Sequence, residues 1–103
     1  MSNTFSYKLT PENELFYFDF SQVLADGETI STATCTVEVV SGTDSSPSSI
    51  KSGSMSISGT TVSQRIFGGV SGVTYRLIVT ITTSASNTYT TVGYLPVYSP
   101  DEI

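Results

Sequence analysis

In the segment Thr74–Thr83, Tyr75, Leu77, Val79 and Ile81 occupy every second position, and Thr74, Arg76, Ile78, Thr80 and Thr82 stand between them. A period of two, carried by β-branched and aromatic residues, is the signature of a strand with one buried face. Gly68, Gly69 and Gly72 stand just ahead of it. That is a turn composition in which the backbone takes positive φ at little steric cost. A chain that turns sharply and then runs straight through ten alternating residues must supply other strands to pair with this one and an apolar face to cover it.

The rest of the sequence supplies them. Helix formers are scarce, and no long stretch places apolar residues at helical spacing. Charged residues make up 13% of the 103 positions and hydrophobic residues 38%, and the polar remainder is rich in Ser and Thr. Threonine suits the wet face of a sheet, so this composition reads as sheets with Thr-rich outer surfaces. At this length the chain holds one core between two sheets. The expected fold is all-β, an immunoglobulin-like antiparallel β-sandwich of six to seven strands. In such folds a tyrosine beside a corner turns its hydroxyl back onto nearby backbone. Tyr75, behind Gly68, Gly69 and Gly72, is placed for that corner role.

Residues 1–11 lack periodicity and read as an N-terminal arm, extended or mobile unless something holds it. The sandwich is expected over residues 12–98, and residues 99–103 read as a short acidic tail. Phe16, Phe18 and Phe20 alternate along the first strand and require burial, while Leu15 and Tyr17 leave open a second covered face. Ser21–Leu24 suits one helical turn and Asp26-Gly27 a tight turn. Thr29–Val40 is the second long strand, with Ala33, Cys35, Val37 and Val39 directed inward. Ser41–Ser56 is Ser-rich and predicts a long loop, with a short edge strand near Met55–Ser58. Val62 and Ile66 face inward on the next strand with Gln64 between them, and Phe67 has the opposite parity. Ser84–Asn87 forms a hairpin turn. The last strand directs Tyr89, Thr91, Gly93, Leu95 and Val97 to one face, with Pro96 marking its end or an exposed edge.

Catalytic chemistry is not written in this sequence. It contains no histidine and a single cysteine, Cys35. Ser-His-Asp and Cys-His arrangements are therefore excluded, as are His-based or multi-Cys zinc sites and an internal disulfide. The carboxylates show no spacing that singles out a glycosidase pair, and Asp26-Gly27-Glu28 lacks the pattern of a calcium loop. Gly68-Gly69 precedes a strand and no Lys-Ser/Thr, so it is no phosphate cradle. No enzyme activity and no cofactor are expected. The net charge is −5 and the four basic residues are scattered, which argues against nucleic acid and against an anionic membrane surface. The N-terminus carries no basic and apolar leader pattern, so folding in the cytoplasm is expected.

Surface contact remains. Sandwich edges offer unpaired backbone groups, and little lysine is present to blunt them. Aromatic residues near the chain ends (Phe5, Tyr7, Tyr94 and Tyr98) are candidates for an interface, together with Phe67 and the isolated apolar residues Ile50 and Met55 of the Ser-rich loop.

Several segments carry a resemblance that spans nearly the whole chain. They are Lys8-Leu9-Thr10-Pro11-Glu12-Asn13-Glu14-Leu15, Phe18-Asp19-Phe20-Ser21, Leu24-Ala25-Asp26-Gly27-Glu28-Thr29-Ile30-Ser31, Ile66-Phe67-Gly68-Gly69-Val70-Ser71-Gly72-Val73-Thr74-Tyr75 and Gly93-Tyr94-Leu95-Pro96-Val97. Together they resemble small immunoglobulin-like virion proteins of tailed bacteriophages, of the fibre-tail adaptor type. The resemblance implies a non-enzymatic part of the virus particle, made in the bacterial host cytoplasm and present in several copies. Its partners would be other virion proteins, and it would join a fibre or peripheral protein to the tail or neck. A capsid or tail-tube decoration protein is the alternative, and a carbohydrate-binding adhesion module the second alternative.

Overall fold

A computed structural model describes residues 2–5 and 7–102. Met1, Ser6 and Ile103, which the arm and tail include, lie outside the described residues. The strands in chain order are β1 (Ser2–Thr4), β2 (Lys8–Leu9), β3 (Asn13–Asp19), β4 (Ile30–Ser41), β5 (Lys51–Ser58), β6 (Thr61–Phe67), β7 (Thr74–Thr83) and β8 (Thr88–Tyr98). A short 3-10 turn at Pro47–Ile50 precedes β5, and another at Pro100–Glu102 follows β8. Two sheets face each other. The larger is ordered β1-β8-β7-β4, with β2 also on β8, and the smaller is β3-β6-β5. The long strands pair antiparallel, while β1 and β2 run parallel to β8.

The alternation in β7 decides the core. Tyr75, Leu77, Val79 and Ile81 are fully buried, and they meet Phe18, Phe20, Val62 and Ile66 of the opposing layer, Leu95 and Val97 of β8, and Cys35 and Val37 of β4. Gln64 is buried among them as the sequence places it, and its amide donates to the carbonyls of Gly53 (3.1 Å) and Arg65 (3.0 Å). A polar group inside a core costs little when its hydrogen bonds are made. The outer faces carry the threonines: Thr32, Thr34 and Thr36 on β4 are exposed, and the Thr80 and Thr90 hydroxyls bond across β7 and β8.

Two open readings are resolved, the arm and the outer face of β3, and two expectations change, the Ser-rich segment and Pro96. The arm is not left alone, because β8 takes it as two added strands. The Ser-rich segment is a loop only as far as Ser46. Ile50 then turns into the core and the chain runs as β5 from Lys51, four residues before the edge strand read from the sequence. Buried Ile50, a bond from the Lys51 amino group to the Cys35 carbonyl (2.8 Å) and the antiparallel ladder to β6 hold this serine-rich stretch on the sandwich. The outer face of β3 is open, with Tyr17 61% exposed.

Pro96 neither ends β8 nor lies on a bare edge. The Val97 N–H donates to the Val73 carbonyl, so odd-numbered residues of this part of β8 direct their backbone groups to β7 and even-numbered ones direct theirs to the arm. The donor that proline lacks would point to the arm side. β1 stops opposite Tyr94 and β2 begins opposite Val97, so the arm's ladder is interrupted where β8 has no N–H to give.

Glu28 clamps the connection before β4 to the β7–β8 hairpin. It accepts from the Thr83 hydroxyl (2.5 Å), the Asn87 amide (2.9 Å) and the Ala25 N–H (2.9 Å). These donors favour the charged form and hold its pKa below the ordinary value of 4.5. A depressed carboxylate contributes stability above the unfolded value, and that contribution is lost as pH falls through the folded value. Melting temperature is therefore expected to decline below pH 4.5, and Glu28→Gln to flatten part of that decline. Asp19, held low mainly by the Ser21 N–H, supplies a further part. An unchanged slope in Glu28→Gln would exclude the clamp.

Candidate functional site

The sequence-nominated residues fall into separate places. Phe5, Tyr7 and Tyr98 gather where the arm crosses toward β3. The Phe5 ring stands edge-on to Phe16 (4.8 Å between centroids) and Phe18 (5.6 Å), and Tyr7 stands edge-on to Tyr98 (5.9 Å). Phe67 is exposed at the end of β6, opposite Asn13. Tyr94 lies on the outer face of β8 opposite Arg76, whose guanidinium pairs with Glu38. Ile50 and Met55 are elsewhere, toward the β4 and β5 edges. Ile50 is 3% exposed and is no contact residue, and Met55 is half-buried against the core.

Phe5 is a bridge between the layers. It comes from the arm side of the larger sheet and packs on the smaller sheet, so its ring fills the gap at one side of the sandwich. Gly93 makes the space. A Cβ added at Gly93 would lie 2.6 Å from the Phe5 ring and 3.2 Å from that of Phe18. Gly93→Ala is therefore expected to push the Phe5 ring outward and loosen β1, at a cost of about 1–2 kcal/mol. Chemical denaturation reads the cost, and faster amide exchange at Phe5, whose N–H donates to the Tyr94 carbonyl, reads the displacement. A variant as stable as the parent, with unchanged exchange, would contradict this packing.

Beside Phe5 lies a groove of about 270 Å³ lined by Phe5, Tyr7, Glu14, Leu15, Phe16 and Tyr17. It is open and shallow, sized for one or two side chains and below the usual volume for a small-molecule pocket. It combines aromatic walls with a carboxylate and two phenol hydroxyls, a surface for a protein segment.

The corner lies at the other end of the arm. The Tyr75 hydroxyl accepts from the Val70 N–H (2.8 Å) and donates to Asp44 Oδ2 (2.7 Å). Burial, and the neighbouring Asp44 carboxylate, push its pKa up to about 12 against the Val70 bond. Gly69 has φ +107° and a Cβ there would press on Val97 at 3.3 Å, so the corner depends on glycine at that position. Gly68 and Gly72 complete the turn.

Two residues at this corner had no functional reading in the sequence. Asp44, in the Ser-rich segment, ties that segment to Tyr75. Lys8 is fully buried, and its amino group donates to the carbonyls of Gly68 (2.6 Å), Leu9 (2.9 Å) and Thr10 (3.4 Å). Burial lowers its pKa, while Glu12 and Glu14 act in the opposite direction. It pins the arm to the corner. Nothing in Tyr7-Lys8-Leu9 distinguishes such a lysine from a solvated one. Cys35 is buried and its thiol is raised to about 11 by burial, so it is a core residue without nucleophilic character. Among the described residues no group of three or more His, Cys, Asp or Glu is placed to hold a metal ion, and no helix is long and apolar enough to cross a membrane.

These features define a class: an immunoglobulin-like sandwich whose distinctive surfaces are a strapped edge, a tyrosine corner and an aromatic groove. The family described as podophage GP4 fiber-tail adaptor protein gp77 matches residues 10–96, and the chain belongs to that family. Curated proteins give no match to it.

Proposed function

We propose that this chain is a non-enzymatic structural component of a tailed bacteriophage particle, joining a fibre or peripheral protein to the tail or neck. The observation that carries the reading is the family match, which runs from Thr10 near the end of the arm to Pro96 and so takes in β3 to β7 and most of β8. The surface agrees with it. Its groove is too small and open for ordinary substrate binding, and aromatic side chains with hydroxyls suit contacts between proteins. Several copies per particle, held by neighbouring virion proteins, follow from an adaptor placed where symmetric tail parts meet.

Particles assembled without this chain test the proposal. Heads with their tails are expected to form, and the fibre or peripheral protein to be missing from purified particles by mass spectrometry. Fibres present at the normal ratio would overturn the adaptor role. Heads that lose stability while keeping their fibres would transfer the chain to the decoration class.

A further inference from the structure

The four sheet edges of this sandwich are unequal. In the larger sheet, β1 and β2 cover β8, and β4 shifts register near both of its ends. In the smaller sheet, β5 shifts register between Ser52 and Ser56. Among the described residues β3 is the longest uncovered edge whose ladder runs without a shift, seven residues from Asn13 to Asp19 against three in β1 and two in β2. Sheets protect such edges with lysine, proline, bulges or a covering segment; β3 has no lysine, proline or bulge, and the arm's Phe5 and Tyr7 lie beside it at the groove without a backbone hydrogen bond to it among the described residues.

The direction of its free backbone groups follows from one hydrogen bond. The Phe20 N–H donates to the Thr60 carbonyl, continuing the β3–β6 register. Antiparallel pairs alternate, so Phe18, Phe16 and Glu14 also bond to β6, and Asn13, Leu15, Tyr17 and Asp19 direct N–H and C=O away from the sheet. The outward row lies along the groove lined by Phe5, Tyr7, Phe16 and Tyr17.

Charge distinguishes the possible occupants. Glu12, Glu14 and Asp19 flank the edge. Glu12 accepts from the Leu9 N–H and Asp19 from the Ser21 N–H, whereas the Glu14 carboxylate is exposed, acts on Lys8 through charge alone, and makes no side-chain hydrogen bond or ion pair among the described residues. The chain's own cations are engaged: Lys8 and Lys51 on backbone carbonyls, Arg65 on Asn13, and Arg76 on Glu38. A second copy laid along β3 would set carboxylates against carboxylates between two chains of net charge −5.

We propose that the β3 edge takes an extended segment of another protein as an added strand. That segment bonds to the outward groups of Leu15, Tyr17 and Asp19, places an apolar side chain in the groove, and carries a lysine or arginine opposite Glu14. Main-chain bonds supply affinity in such additions, and the alternate side-chain contacts supply selectivity. That the partner is another virion protein rests on the adaptor reading above.

Amide exchange of the whole protein, alone and within purified particles, tests this. In the isolated protein the Leu15, Tyr17 and Asp19 amides are expected to exchange about 100-fold faster than those of Phe16 and Phe18. In particles they are expected to become as slow as their neighbours. Two variants separate backbone from side chain. Tyr17→Thr keeps the outward N–H, while Tyr17→Pro removes it and leaves the bonds to β6 in place. The proline variant, which loses the N–H as well as the ring, is expected in particles at roughly tenfold less than the threonine variant, and Glu14→Lys at roughly tenfold less than the unaltered protein. If Tyr17→Pro fails to fold, the exchange measurement on the unaltered protein decides. Fast exchange of these amides in particles that contain the chain would overturn the proposal while leaving the adaptor reading intact. Slowing in the isolated protein as concentration rises would assign the edge to a second copy and overturn the basic partner, as would normal incorporation of Glu14→Lys. Absence of the chain from particles would remove the adaptor reading and this proposal together.

Discussion

Phe18→Ala is expected to lower the unfolding free energy by about 3–5 kcal/mol. A domain of this size has about 5–15 kcal/mol in total, so the variant loses a large share of its stability. The reason is position. Phe18 is fully buried at the centre of β3, paired with Val62, and edge-on to Phe5. Its ring also approaches Gly93, where the absence of a side chain lets β8 come close. Truncation leaves a cavity bordered by both sheets and the arm, which cannot close it without moving Phe5. Urea denaturation reads the loss. Phe5→Ala, at a half-buried ring in the same cluster, is expected to cost less. A loss below about 1 kcal/mol at Phe18 would mean that the two sheets do not meet there.

Tyr75→Phe removes one oxygen and is expected to cost about 1.5–3 kcal/mol, the range for a bond to a charged group. Two partners lose their bond together, the Val70 N–H and the Asp44 carboxylate, and the ring itself stays buried. The corner and the Ser-rich segment are joined through that hydroxyl, so the loop ending at Ser46 is expected to loosen as well. Titration gives an independent signature. The folded pKa is pushed up to about 12, above the ordinary value of 10.0. The contribution is therefore complete below pH 10 and lost as pH rises from there toward 12. Spectrophotometric titration should lose its highest-pH tyrosine in Tyr75→Phe. A parent protein whose tyrosines all titrate near 10 would contradict the buried hydroxyl.

Period-two patterning made the long strands legible. Each inward row read in β4, β6, β7 and β8 is buried or half-buried in the structure, since one face of each strand is covered and the other is wet. The parts that were not legible are those set by contacts distant in sequence. Whether Lys8 is solvated or buried depends on a carbonyl sixty positions away at Gly68. The direction of Ile50 depends on where the 3-10 turn at Pro47 places it, which serine-rich composition does not determine. Pro96 carried a correct physical signal, a missing donor, but its place depends on the arm that lies beside it. The groove is likewise a product of the arm crossing to β3. Phe5 and Tyr7 were legible as aromatics near a chain end, while Glu14, Leu15 and Tyr17 became neighbours of theirs only through the fold.

A density map of purified particles, with this chain placed and its contacts traced, tests the central claim most directly. The account predicts copies at the tail or neck, each in contact with a fibre or peripheral protein. A regular array over the head, or particles without the chain, would contradict it.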